Sequence, residues 1–218
     1  MMGSLHSLRI LVPLLAATAL AAQAQAAPEC TAYAQELATM VEAADAVRSR
    51  VDYLAPPEDA LAARRLAQLA LVERDNGARL GALMAACGWP RRSVEGEEAA
   101  RQAWLIVQKR GDDLPLQRRA VRQLELAALD GEAAMTHLAA ASDRLAVREG
   151  HPQRYGTQLR QVGACSWDYY PLDDPARVEA RRQRIGLPTL ADHKRSIDAM
   201  IVTENCPAPA MTNPGTRH

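Results

Sequence analysis

The 218-residue sequence contains no phenylalanine, and aromatic residues make up only 4% of it. A core built on stacked aromatic side chains is therefore excluded, and Leu, Ala, Val and Met must supply the buried surface. Net charge is also lacking, since 26 Lys and Arg balance 26 Asp and Glu. A balanced chain gives no electrostatic basis for binding nucleic acid or an anionic bilayer. The pairs Arg64-Arg65, Arg91-Arg92 and Arg181-Arg182 have carboxylates nearby and read as solvated helix faces. No apolar run reaches the ~20 residues that a membrane-spanning helix requires. Familiar catalytic signatures are missing as well: there is no GxSxG elbow, P-loop, HExxH helix or dinucleotide-binding glycine pattern. No CxxC pair occurs, and His151 and His193 are not spaced as co-ligands, so neither a metal nor a cofactor is expected.

The longest apolar stretch, Ile10 to Ala22, follows Arg9 and no acidic residue. It has the length of a signal-peptide core and precedes Ala24 and Ala26, small residues suited to the positions before a cleavage site. Residues 1–26 are read as a signal peptide, with cleavage after Ala26 or alternatively after Ala24, and the location as periplasmic or secreted. An uncleaved N-terminal anchor is the competing reading. Loss of the leader removes only Arg9 from the charge count, so the mature chain stays near neutrality. All four cysteines, Cys30, Cys87, Cys165 and Cys206, fall after the leader. An even number in an oxidising compartment points to disulfides, with three possible connectivities.

The fold expected is mainly α: a multi-helix domain with an N-terminal helical hairpin and one small β-hairpin. Tyr33, Leu37, Met40, Val41, Ala44 and Val47 recur at helical steps over about 29–53, and Pro56-Pro57 ends that run. A second helix runs over 58–87, with Leu66, Leu69, Val72, Leu80, Leu83 and Cys87 along one stripe, and stops at Gly88-Trp89-Pro90. An antiparallel hairpin of these two brings Cys30 to Cys87 and leaves Cys165 for Cys206. Further helices are expected over about 96–109, from Asp113 to Gly131, over 133–149, from Asp174-Pro175 to Gly186, and from Leu187-Pro188 to about Thr203. Residues 154–162 and 165–171 are richer in Tyr, Thr, Val and Trp and are read as the two strands of a hairpin. The divisions expected are a hairpin over 27–87, a second helical part over 88–206 and a loose Pro-rich tail over 207–218.

Polar residues interrupt this pattern where apolar ones would pack. Asn76 lies on the apolar stripe of the second helix, where it serves either a neighbouring backbone or a ligand. Trp104 and Gln108 share a helix face, four residues apart. Asp143-Arg144 precedes Gln153, Tyr155, Gly156, Thr157 and Gln158, so a helix end, a turn and a polar segment fall together. His137 is two turns before Arg144 on the same face. Each of these has a bland reading: Trp104 as core, Asp143-Arg144 as an internal ion pair, and His137 as a packing residue.

The pieces Gly88-Trp89-Pro90, Ala103-Trp104-Leu105 with Gln108, Gln117, Asp143-Arg144 and Gln153 with Tyr155-Gly156-Thr157-Gln158 resemble a bacterial domain family without an assigned function. The resemblance runs from Asp75-Asn76 to about Leu190. It implies that these residues act together and supplies no substrate. In that family a His directly follows the Gln matched by Gln108, and this chain has Lys109 instead. A general acid or base at that position in relatives is thus lost here.

Three functional readings follow. In the first, Trp104, Gln108, Arg144, Gln153, Tyr155 and Gln158 line a pocket for a small polar or anionic ligand, or for a partner protein of the cell envelope. In the second, the domain is a hydrolase-like enzyme with Asp143 or His137 as base. In the third, the polar cluster is a scaffold within a structural or interaction protein.

Overall fold

A computed structural model describes residues 30–163 and 165–201. The expected leader, its cleavage site, the C-terminal tail and Cys206 lie outside the described residues.

A single 3-10 turn, Cys30–Ala32, leads into α1 (Tyr33–Arg48), which packs antiparallel to α2 (Ala60–Cys87). Asp59 starts α2 by accepting the amides of Leu61 and Ala62 at 2.8 and 3.0 Å. The open end of this hairpin is closed by the Cys30–Cys87 disulfide, whose Cα atoms are 5.6 Å apart. The Tyr33 hydroxyl donates to the Gly88 carbonyl at the same end. Along the hairpin, Arg79 makes a two-pronged contact with Glu36 at 2.6 and 2.8 Å, and Arg48 reaches Glu73 at 2.7 Å.

The first helix ends at Arg48, before the expected Tyr53. Residues after it bend back, and the Asp52 carboxylate accepts the Leu54 amide within a local turn. Because Arg48 already faces Glu73, the N-terminal turns of α2 project past the end of α1. This is why Leu66, expected on the buried stripe, is 43% exposed. Leu69, Leu80 and Leu83 of that stripe are buried as expected, and burial is densest over residues 76–84, where α2 faces the rest of the bundle.

Helices α3 (Glu97–Lys109), α4 (Leu114–Leu129) and α5 (Met135–Arg148) complete the bundle. Asp113 caps α4 by accepting the Leu116 amide, with Pro115 in the first turn. Buried Gln117 closes the preceding helix from within α4: its Nε2 donates to the carbonyls of Val107 and Arg110. One core joins all five helices through Leu37, Leu80, Leu83, Val107, Leu124 and Leu138. Alanine at Ala103, Ala120 and Ala141, each fully buried, lets the helices approach closely without phenylalanine.

Strands β1 (Leu159–Gly163) and β2 (Ser166–Tyr169) form the antiparallel hairpin, with Leu159 opposite Tyr169 and Gln161 opposite Trp167. Helices α6 (Pro175–Arg184) and α7 (Leu190–Ile201) follow, and Asp174 caps α6 through the Arg177 amide. The first strand begins five residues later than its composition suggests. The amides of Arg154, Tyr155 and Thr157 are bound to a side chain of α5 and cannot join a strand ladder.

Candidate functional site

That side chain is Asp143. It is fully buried and accepts from the backbone amides of Arg154 (2.8 Å), Tyr155 (3.1 Å) and Thr157 (3.0 Å) and from the Thr157 hydroxyl (3.0 Å). Burial pushes its carboxyl above the usual carboxylate range, and the four donors pull the other way. The same turn is also held by Arg182, likewise buried. Its guanidinium donates to the carbonyls of Tyr155 (2.7 Å), Gly156 (3.0 Å) and Pro188 (2.6 Å). The 154–157 turn is therefore held between a carboxylate that collects its N–H groups and a guanidinium that collects its C=O groups.

Gln153 is equally enclosed. Its Oε1 accepts the Gln158 amide at 2.7 Å, and its Nε2 donates to the carbonyls of Gln158 and Tyr170. Gly156 adopts φ +67°, and a Cβ there would sit 2.6 Å from Leu190 Cδ2 and 3.1 Å from Leu172 Cδ2. Tyr155 is buried beside it. Gln158 lies at the margin of this loop, where its Nε2 donates to Thr157 Oγ1 at 3.0 Å and approaches the Ala140 carbonyl at 3.5 Å.

The remaining candidates lie where α3 meets α5. Trp104 and His137 stack with ring centroids 4.3 Å apart and planes within 10°. Seven residues further along both helices, the Gly111 position just past the end of α3 meets the Arg144 guanidinium. Equal steps in the same sense mean that α3 and α5 run parallel, with Gln108 between the two levels. Along this seam Trp104 Nε1, Gln108 Nε2 and Arg144 Nε are buried donors without an acceptor among the described residues. Burial alone depresses the Arg144 pKa, and no carboxylate offsets it. Asp143 and Arg144 do not pair: adjacent residues on a helix diverge by ~100°, so one enters the 153–158 loop and the other the seam. His137 is held below its ordinary pKa, first by burial and then by Arg101, and stays neutral at physiological pH.

The structure thus brings Trp104, Gln108, His137 and Arg144 together along α3–α5, and Asp143, Gln153, Tyr155 and Gln158 together around the loop. It does not place all of them on one surface. Asn76 sits apart, with its Nδ2 donating to the Met40 carbonyl of α1 at 2.7 Å. Arg182 escaped the sequence reading because it lies in an Arg-rich helix with no apolar stripe to mark an inward face. The only hint was Val178, four residues earlier and fully buried on the same face. No three His, Cys, Asp or Glu side chains among the described residues gather as a metal site. Cys165 is disulfide-bonded, and its expected partner Cys206 lies outside the described residues. No helix among the described residues is long and apolar enough to cross a membrane.

No curated protein and no solved structure matches the chain. One family model does, over residues 31–202, and this coverage shows that the chain belongs to a family of unknown function, DUF6624.

Proposed function

We propose that the chain is an exported binding domain that takes a small anionic ligand at the α3–α5 seam, with Arg144 as its charge anchor. One observation carries this reading: Arg144 is a half-buried guanidinium that no carboxylate among the described residues neutralises. A cation withdrawn from water is costly unless it is paired, and an anionic ligand would supply the missing charge through two parallel N–H bonds. Gln108, one turn from Trp104, adds an amide, and the Trp104–His137 stack adds a flat apolar wall. The Cys30–Cys87 disulfide supports export, because such bonds persist in oxidising compartments.

The hydrolytic reading has less support. The Asp143 carboxylate is sealed and already accepts from four groups, and His137 has Trp104 against its ring, feels Glu97 only at a distance and hydrogen-bonds no carboxylate among the described residues. Around Asp143 and Gln153 the hydrogen bonding favours a scaffold role, which anchors the hairpin and α6 to α5.

Thermal denaturation of the purified mature chain with phosphate, sulfate, citrate and glutamate tests the proposal. At least one anion is expected to raise the midpoint, and Arg144→Ala is expected to abolish the rise while leaving the far-UV circular dichroism unchanged. A rise that survives in Arg144→Ala would remove Arg144 from the site. N-terminal sequencing of the exported protein tests the leader, with Ala27 or Gln25 expected as the first residue.

A further inference from the structure

A second site is built into the opposite side of α3. There α1, α2 and α3 enclose a cavity of about 60 Å³. Val41, Ala44, Leu105 and Ile106 give it apolar walls, and the space accommodates roughly four waters or an equally small organic group. It is separate from the α3–α5 seam, because Leu105, Ile106 and Lys109 face it from α3 while Trp104 and Gln108 face α5.

Asn76 defines its chemistry. The residue is only 9% exposed, and its amide orientation is fixed because Nδ2 donates to the Met40 carbonyl. The other end of that amide, Oδ1, accepts no hydrogen bond from the described residues, and Asn76 lines the cavity. Oδ1 is thus open to the cavity rather than sealed against protein, and a ligand donor placed there would satisfy it. Glu73 adds a second acceptor. Arg48 bridges Asp45 and Glu73 but engages only Oε1 of Glu73, so Oε2 has no donor from the described residues. Lys109, at the exposed end of the lining, forms no ion pair among the described residues. The lining therefore carries two carboxylates, Asp45 and Glu73, with Arg48 paired to both, the Asn76 side-chain carbonyl oxygen, and Lys109 at the exposed end.

We infer that this cavity binds a small primary amine of the α-amino-acid class. The ammonium donates to Asn76 Oδ1 and Glu73, a short aliphatic group contacts Leu105 and Ile106, and the carboxylate faces Lys109. A simple anion is disfavoured, since the Arg48 guanidinium in the lining is already paired with Asp45 and Glu73, while Asn76 Oδ1 and Glu73 Oε2 are acceptors without a donor from the described residues. This site is independent of Arg144.

The test is a titration of the ¹⁵N-labelled mature chain, reading the Asn76 side-chain amide resonances with ethylamine, L-alanine and propionate in turn. Ethylamine and L-alanine are expected to move these resonances saturably, with Kd on the order of 1 mM, and propionate to leave them in place. Glu73→Gln should weaken both amines about tenfold. Lys109→Gln should weaken L-alanine and spare ethylamine, and Arg144→Ala should change neither. Absence of a saturable shift with both amines, or propionate binding as well as ethylamine, would overturn the inference. Those comparisons use the unaltered chain and hold even if Glu73→Gln fails to fold.

Discussion

Asp143 and Arg182 both grip the 154–157 turn, and each engages its backbone groups of a single polarity. Replacing one leaves several buried backbone groups without partners at once. Asp143→Asn keeps the shape but turns an NH₂ group toward amide donors, and is expected to lower stability by about 3 kcal/mol in urea denaturation. Gly156→Ala is expected to cost about 1–3 kcal/mol, because φ +67° disfavours a side chain and the new methyl meets Leu190. His137 gives a pH-dependent signature. Its folded pKa lies below the ordinary 6.5, so the unfolded chain takes up a proton first as pH falls. Stability should therefore decline below about pH 6.5 and level off once the folded form is protonated too. His193, also depressed by burial and by Arg182, adds in the same direction. Thermal midpoints measured against pH should fall less steeply in a His137→Gln, His193→Gln double variant. An unchanged slope would contradict the assignment. At this scale the polar run from Asp143 to Gln158 was legible in the sequence as a group, and Asp143 does bond to Arg154, Tyr155 and Thr157 within it. The sequence did not reveal the clamp by Arg182, whose bonds to Tyr155 and Gly156 join positions 27 and 26 residues apart.

At the scale of elements, the helices were readable because their signals are local. Apolar steps of three and four, Asp113 and Asp174 as caps and Gly88 as a stop placed them to within a few residues. The strand start was not readable, because a carboxylate outside the strand takes the amides of 154–157. Neither was the parallel course of α3 and α5, which depends on how α4 returns between them. The α1–α2 hairpin is held by its disulfide, which closes 57 residues of sequence. A loop of that length stabilises the folded state by about 4 kcal/mol in the chain-entropy account. The Cys30→Ser, Cys87→Ser double variant should unfold at lower urea concentration by a corresponding amount. An unchanged urea midpoint would show that the bond adds no stability.

For the molecule as a whole, the five-helix core and the small hairpin divide the polar residues between two jobs. The loop around Asp143 fixes where the C-terminal elements sit. The α3–α5 seam keeps donors without acceptors among the described residues, and the proposed function rests on that contrast. Sequence spacing grouped both sets into one pocket because Asp143 and Arg144 are neighbours in the chain, although the helix sends them to different sides. The most direct test of the anion site is the Arg144 Nε–H resonance, followed while adding an anion that raises the melting midpoint. The account predicts a downfield shift that saturates over the same concentration range as the thermal effect. A resonance that stays in place while the midpoint rises, or a seam that no anion perturbs, would contradict it.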